Sequence, residues 1–367
     1  MSPDIQHPYD RLTPDRVLDA VESRGYVSDM RILALNSYEN RVYQVGIEDS
    51  DPLIAKFYRP ERWSKEQILE EHQFSIELQQ MELPIVAPLA DKQGETLHEF
   101  EGFMFALFPR QGGYAPELDN LDNLDNLLIM GRTLGRMHKL GASKPFEHRP
   151  EISLQRYGID SVEYLIANNF IPSSLKEAYE TLTRDILHRL VTINSREPEI
   201  PFIPEYDNEN KNESGSGIFT AKDAMKKQHA FNLIRVHGDC HIGNILWRNN
   251  APHFVDFDDT AMAPAIQDLW MLLSGDRQNQ TLQMAEILEG YTEFMDFSPA
   301  ELNLVEYYRT LRLLNYSGWL ARRWDDPAFP MAFTWFNTER YWAEHILELR
   351  EQLAALDEPP LAVFGQF

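Results

Sequence analysis

The chain of 367 residues contains a single cysteine, Cys240. It can therefore close no disulfide within itself and needs no oxidising compartment. Long apolar runs are also missing: "FMFALF" (103–108) falls far short of the roughly 20 residues that span a bilayer. The opening stretch "MSPDIQHPYDRLTP" has neither the basic segment nor the apolar core of an export signal. Positive charge is scarce, with 34 Lys and Arg against 58 Asp and Glu, a net charge of -24. That balance opposes binding to nucleic-acid phosphates or anionic lipid. These absences together predict a cytoplasmic monomer with no nucleic-acid or membrane partner.

The length itself predicts two packed units, because single cores stop growing near about 250–300 residues. "TPDRVLDAVESRGY" reads as a short helix capped by Thr13, started by Pro14 and stopped by Gly25. "RILAL", "RVYQVGI" and "PLIAKFY" then predict a three-stranded antiparallel meander. Ser64 and Gln67 in "SKEQILEEHQFSIELQQ" have the spacing of a capping box and predict a helix of about four turns. "PIVAPLA", "GETLHEF" and "GFMFALFPR" return to strand character.

At "FPRQGGYAP" (108–116) two glycines and a proline break the pattern. We expect a lobe boundary there, giving residues 1–110 and 111–367. The second lobe is mainly helical, with short strands at "LIRVHGD" and "HFVDFDD". The triplet repeat "LDNLDNLDN" (118–126) suits an acidic helix entry. Residues 205–229, polar and poor in apolar side chains, are expected to form a mobile loop.

The chemistry gathers in "HGDCHIGNILW" (237–247) and in "VDFDD", about a dozen residues on. The two histidines, Asp239 and Cys240 first suggest a transition-metal site. Asn244 argues otherwise, since an amide oxygen is a poor ligand for soft metals and a good one for hard cations. Asp256, leaving a strand, adds a second oxygen ligand of the kind Mg²⁺ prefers. Asp239 would accept the proton of an attacking hydroxyl while Asn244 and Asp256 hold Mg²⁺ on nucleotide phosphates, which is the division of labour in phosphoryl transfer.

That chemistry requires further parts. A strand lysine should neutralise phosphates, and Lys56 in "LIAKFY" fits. A helix carboxylate should orient it, and "ILEEHQF" offers Glu70 and Glu71. A turn should cover the phosphates, yet "LNSYENRVY" has no glycine. Backbone amides of residues 37–40, or the Ser37 hydroxyl, would have to serve. His237 and His241 read as residues that support the loop, Cys240 as a buried filler, and Asp258 and Asp259 as turn carboxylates. The cluster "YYRTLRLLNYSGWLARRW" reads mostly as core, with Arg309, Arg312, Arg322 and Arg323 as candidate electrostatic contacts.

"HGDCHIGNILW" with "VDFDD" resembles the catalytic and metal motifs of the aminoglycoside phosphotransferase superfamily. "LNSYENRVYQV", "AKFYRPERW", "QDLWMLLSGD" and "RRWDDPAFP" extend the resemblance, over about residues 15–360, to its bacterial stress-response protein kinases. The resemblance implies an α+β, protein-kinase-like bilobal fold: an N-terminal antiparallel sheet with one main helix and a larger, mainly helical C-terminal lobe. By position it implies Asp239 as catalytic base, with Asp256 beside it in catalysis. Asn244 and Asp256 become the Mg²⁺ ligands, and Lys56, Glu71 and Ser37 the ATP-binding residues. Asp268 becomes the brace of the catalytic loop, the adenine lies near residues 107–110, and 205–229 is an insertion. It also implies serine or threonine of a protein as acceptor. A small-molecule kinase of the aminoglycoside, choline or amino-acid type is the alternative that these motifs leave open. A metal hydrolase or a nucleotide-binding module without turnover is the reading furthest from them.

Overall fold

The computed structural model describes residues 7–114, 124–194 and 231–363. The expected loop at 205–229 and most of the triplet repeat lie outside them.

The N-terminal part is a five-stranded antiparallel sheet of β1 (Ser28–Ala34), β2 (Arg41–Ile47), β3 (Leu53–Phe57), β4 (His98–Phe100) and β5 (Phe103–Pro109), in the order β1-β2-β3-β5-β4. Helix α1 (Pro14–Glu22) starts as expected, with the Thr13 hydroxyl accepting from the Arg16 amide. It buries Val17, Leu18 and Val21 with Ala55, Phe57 and Phe105 of the sheet. Helix α2 (Lys65–Gln80) carries the complete Ser64–Gln67 capping box. Side chains alternate along a strand. Ala55 and Phe57 therefore join the α1 core while Lys56 faces away from it, toward α2.

Two strand expectations fail. "PIVAPLA" (84–90) forms no strand, making an isolated bridge between Ile85 and Phe254 and a single hydrogen bond from the Leu89 amide to the Leu107 carbonyl, and "GETLHEF" is strand only in its last three residues. Pro84 and Pro88 explain the first, because a proline cannot donate to a ladder.

The C-terminal part is built from helices α3 (Leu124–Gly141), α4 (Asp160–Ala167), α5 (Lys176–Asn194), α6 (Ile266–Trp270), α7 (Arg277–Thr292), α8 (Val305–Arg322), α9 (Ala328–Ala332) and α10 (Glu339–Ala355). A turn of π-helix, Leu154–Ile159, leads into α4. One continuous core runs through these helices and takes in Phe74 and Leu78 of α2. Helices α3 and α7 cross in backbone contact: a Cβ on Gly131 would meet the Ile287 carbonyl oxygen at 2.0 Å. Among the described residues, no helix is long and apolar enough to cross a membrane.

Two small ribbons sit among the helices and carry the motif residues. β6 (Ile234–Val236) pairs with β9 (Ala261–Ala263), and β7 (Ile245–Arg248) with β8 (Ala251–Phe254). Strands β7 and β9 were not anticipated; at four and three residues they are too short to show a period.

Candidate active site

The loop after β6 turns on Gly238, whose φ of +86° and close approach to the Asp259 carbonyl, 2.1 Å from a Cβ built there, admit no side chain. Asp268 of α6, fully buried, accepts the backbone amides of His237 (2.8 Å) and Gly238 (2.9 Å), while His138 of α3 donates to it at 3.0 Å. The loop is thus suspended from a buried carboxylate. His237 Nε2 bonds the Val255 carbonyl at 2.9 Å, joining the loop to the strand that delivers Asp256. Cys240 is buried, and burial pushes its thiol well up, which suits a filler and no nucleophile.

His241 caps the one-turn helix Ile242–Asn244. Its Nδ1 accepts from the Gly243 amide at 2.9 Å, so the proton sits on Nε2, which faces the Asp239 carboxylate at 3.3 Å. Asn244 Nδ2 donates to the Asp239 carbonyl at 2.9 Å, leaving Asn244 Oδ1 as the free acceptor of that amide. The Val255 amide bonds the Asn244 carbonyl at 3.0 Å and brings Asp256 alongside. Asp256 has left-handed backbone, φ 60°, which costs a non-glycine residue of order 1–3 kcal/mol. Such strain is stored most often at functional sites. Two oxygen donors, one amide and one carboxylate, are the set expected for a hard cation.

Lys56 is 6% exposed and has three carboxylate neighbours: Asp256 at 3.1 Å, Asp258 at 3.1 Å and Glu71 of α2 at 3.6 Å. Burial would lower its pKa, but Asp256, Asp258 and Glu71 outweigh that and hold it well above the usual lysine value. Glu70 points elsewhere, accepting the amides of Glu147, His148 and Arg149 at 2.6–2.9 Å. Burial pushes Glu71 up to about 7, a rise that Lys56 opposes, Asp258 adds to and Arg149 opposes.

Asp258 corrects the expectation of a turn carboxylate. It is 2% exposed and ion-pairs with Lys56 and Arg62, while Arg149 donates to its carbonyl at 2.9 Å and to Glu71 at 3.0 Å. Burial would raise its pKa, and Arg62, Lys56 and Arg149 together drive it far below the carboxylate range. Sequence reasoning missed Arg62 and Arg149, since each meets its partner from 78 or more residues away.

Ser37 lies half-buried in the turn between β1 and β2. That turn is held at its far side. Glu39 pairs with Arg59 (2.9 Å), Arg62 (3.6 Å) and Arg323 (2.5 Å), and accepts from the Trp319 indole at 2.6 Å. Asp326, beyond α8, takes Arg41 at 3.0 Å and Arg59 at 2.6 Å. Arg323 thus proves an electrostatic contact, as does Arg312, which ion-pairs with Asp239 Oδ1. Burial would raise Asp239, but the His241 hydrogen bond and the Arg312 charge hold it far below the usual range.

A carboxylate on a loop braced by a buried aspartate, two oxygen donors beside it and a buried lysine form an arrangement chemically able to handle phosphate. Residues 31–305 match the phosphotransferase enzyme family. The chain belongs to that family. It is 43% identical over 353 residues to stress response kinase A of Escherichia coli (strain K12), covering 96% of each chain. It is 42% identical, over the same shares, to the serine/threonine protein kinase RdoA of Salmonella typhimurium (strain LT2). Among solved structures, the amicoumacin kinase hAmiN in complex with AMP-PNP, Ca²⁺ and Ami superposes with a TM-score of 0.66 at 17% identity, over 95% of each chain. The α+β, protein-kinase-like architecture of this phosphotransferase is therefore shared with the amicoumacin kinase, while the two sequence relatives are named a stress response kinase and a serine/threonine protein kinase.

Proposed function

We propose that this phosphotransferase is a Mg²⁺-ATP-dependent protein kinase that phosphorylates serine or threonine. It would act in the cytoplasm as a monomer, without a nucleic-acid or membrane partner. In this reading Asp239 is the base that orients the acceptor hydroxyl and takes its proton. Asn244 Oδ1 and the Asp256 carboxylate hold the metal, which supplies charge neutralisation on the transferring phosphates. Lys56, oriented by Glu71, anchors the phosphates. Ser37 and the backbone of residues 37–40 cover them, and backbone groups of 107–110 receive the adenine. We also infer a lobe boundary after Arg110, just past the end of β5 at Pro109.

The observation that carries the reading is the convergence of Lys56 and Asp256, 200 residues apart in sequence, at 3.1 Å, with Asn244 tied to the same strand end. The runner-up, a small-molecule kinase on the same fold, shares all of these parts. One feature speaks against its aminoglycoside form: the guanidinium of Arg312 stands on the base, where a polycationic acceptor would meet like charge.

The test is transfer of γ-phosphate from ATP with Mg²⁺, wild type against Asp239→Asn, offered proteins in one series and aminoglycosides and small alcohols in another. Label on protein serine or threonine, falling by about 10²–10⁴-fold in Asp239→Asn while nucleotide binding persists, is the expected result. Asp239-dependent label on a small molecule alone would replace this reading with the runner-up.

A further inference from the structure

The carboxylate of Asp239 has no free oxygen. Oδ1 carries the Arg312 guanidinium; Oδ2 faces His241 Nε2 at 3.3 Å and Asn244 Nδ2 at 3.5 Å. An acceptor hydroxyl needs one of these oxygens as its hydrogen-bond partner. His241 and Asn244 belong to the catalytic loop and are fixed by its backbone. Arg312 comes from α8, a different element, and its side chain is 43% exposed. Oδ1 is therefore the oxygen that can be vacated.

The exposed residues of helix α8 are Arg312 and Tyr316, one turn apart on one face, with half-buried Trp319 a turn further on. Tyr316 stacks on Trp319 at 5.8 Å and on Trp335 at 6.4 Å. Tyr316 and Trp335 are 41% and 43% exposed. On a chain of net charge -24, a guanidinium is set on the candidate base and continued by an aromatic ledge. Two exposed aromatic rings stacked beside a candidate base offer an apolar chain segment a place to lie.

Resting on the protein-kinase reading, we infer that the stripe Arg312–Tyr316–Trp335 docks the acceptor segment, and that Arg312 selects a serine or threonine flanked by an acidic side chain. The incoming carboxylate takes the Arg312 guanidinium and releases Asp239 Oδ1. The freed oxygen then accepts the hydroxyl proton. The bond from the acceptor oxygen to the γ-phosphorus forms, the bond from that phosphorus to the β,γ-bridging oxygen breaks, and ADP leaves with the electron pair. Water brings no charge to draw Arg312 away, so the base stays capped and ATP is spared hydrolysis. The chain's overall negative field is screened beyond about 8 Å at physiological salt, so selection acts at contact. An apolar residue of the segment lies on Tyr316 and Trp335.

The experiment uses the full chain and a set of serine peptides that differ only in an Asp, Ala or Lys beside the serine and in an apolar residue farther along. We expect kcat/KM to favour Asp over Lys by about tenfold or more, the ranking to collapse in Arg312→Gln and to invert in Arg312→Glu. ATP hydrolysis without peptide should rise severalfold in Arg312→Gln. Trp335→Ala should raise KM for the apolar peptides and leave kcat alone. Nucleotide binding and melting temperature, unchanged in each variant, separate these effects from misfolding. Peptide labelling with the same ranking in wild type and Arg312→Gln overturns the inference alone. Absence of Asp239-dependent label on every peptide overturns the protein-kinase reading and this surface with it.

Discussion

The two halves of the candidate site are held in opposite ways. On the phosphate side, Lys56, Glu71, Asp258, Arg62 and Arg149 are all buried or nearly so, and each has at least two partners. On the acceptor side, Asp239 depends on one loop and on a single half-exposed arginine. A buried charge without its partner is far costlier than an exposed one. The first half therefore tolerates little movement, while the second can exchange partners. That suits a reaction in which the nucleotide is always the same and the acceptor must enter and leave.

The comparison breaks most visibly at Asp258. Asp258→Asn leaves Lys56 and Arg62 short of a buried counter-charge and should cost about 3–5 kcal/mol of stability, read by urea unfolding. An equally large loss in Arg312→Gln would erase the contrast between the halves.

Acid sharpens the same contrast. The folded pKa of Asp258 lies below the free carboxylate value of about 3.9, so its contribution is fully present above that value. The contribution is lost as pH falls through the folded pKa. Glu71 runs the other way. Its folded value, about 7, lies above the free one, so its contribution is fully present below about 4.3 and is lost as pH rises through about 7. Unfolding free energies of wild type and Glu71→Gln at about pH 5 and about pH 8 check this: the variant should have the flatter dependence. A variant as pH-dependent as wild type would remove Glu71 from the account.

The smallest effect belongs to the scaffold. Ser64→Ala removes the cap of the helix that carries Glu71 and should cost about 1 kcal/mol, read as a lower melting temperature with peptide selectivity unchanged. A shift in selectivity would mean that the phosphate side reaches further than its contacts suggest.

Legibility divides along physical lines. Lys56 could be read because strand alternation and its apolar neighbours set it apart, and the spacing of Asp239, Asn244 and Asp256 is a local property of one loop and one hairpin. The capping box and the Thr13 cap are local too, and both formed as expected. Arg62 and Arg149 had no such signal: they reach Asp258 and Glu71 from 78 or more positions away, and surface arginines look the same. Asp258 was misjudged because its burial is created by those arginines. The short β7 and β9 were invisible for want of length.

The pegs at Glu39 and Asp326 have a consequence outside catalysis. They fasten the turn between β1 and β2, and the neighbouring Arg59, to the far end of α8 through three guanidinium–carboxylate contacts. The Asp326 and Glu39 side chains are only 2% and 13% exposed, so salt screens these contacts much less than it does surface pairs. The hold of the N-terminal sheet on α8 should thus persist at ionic strengths that dissolve the pairs on the outer surface.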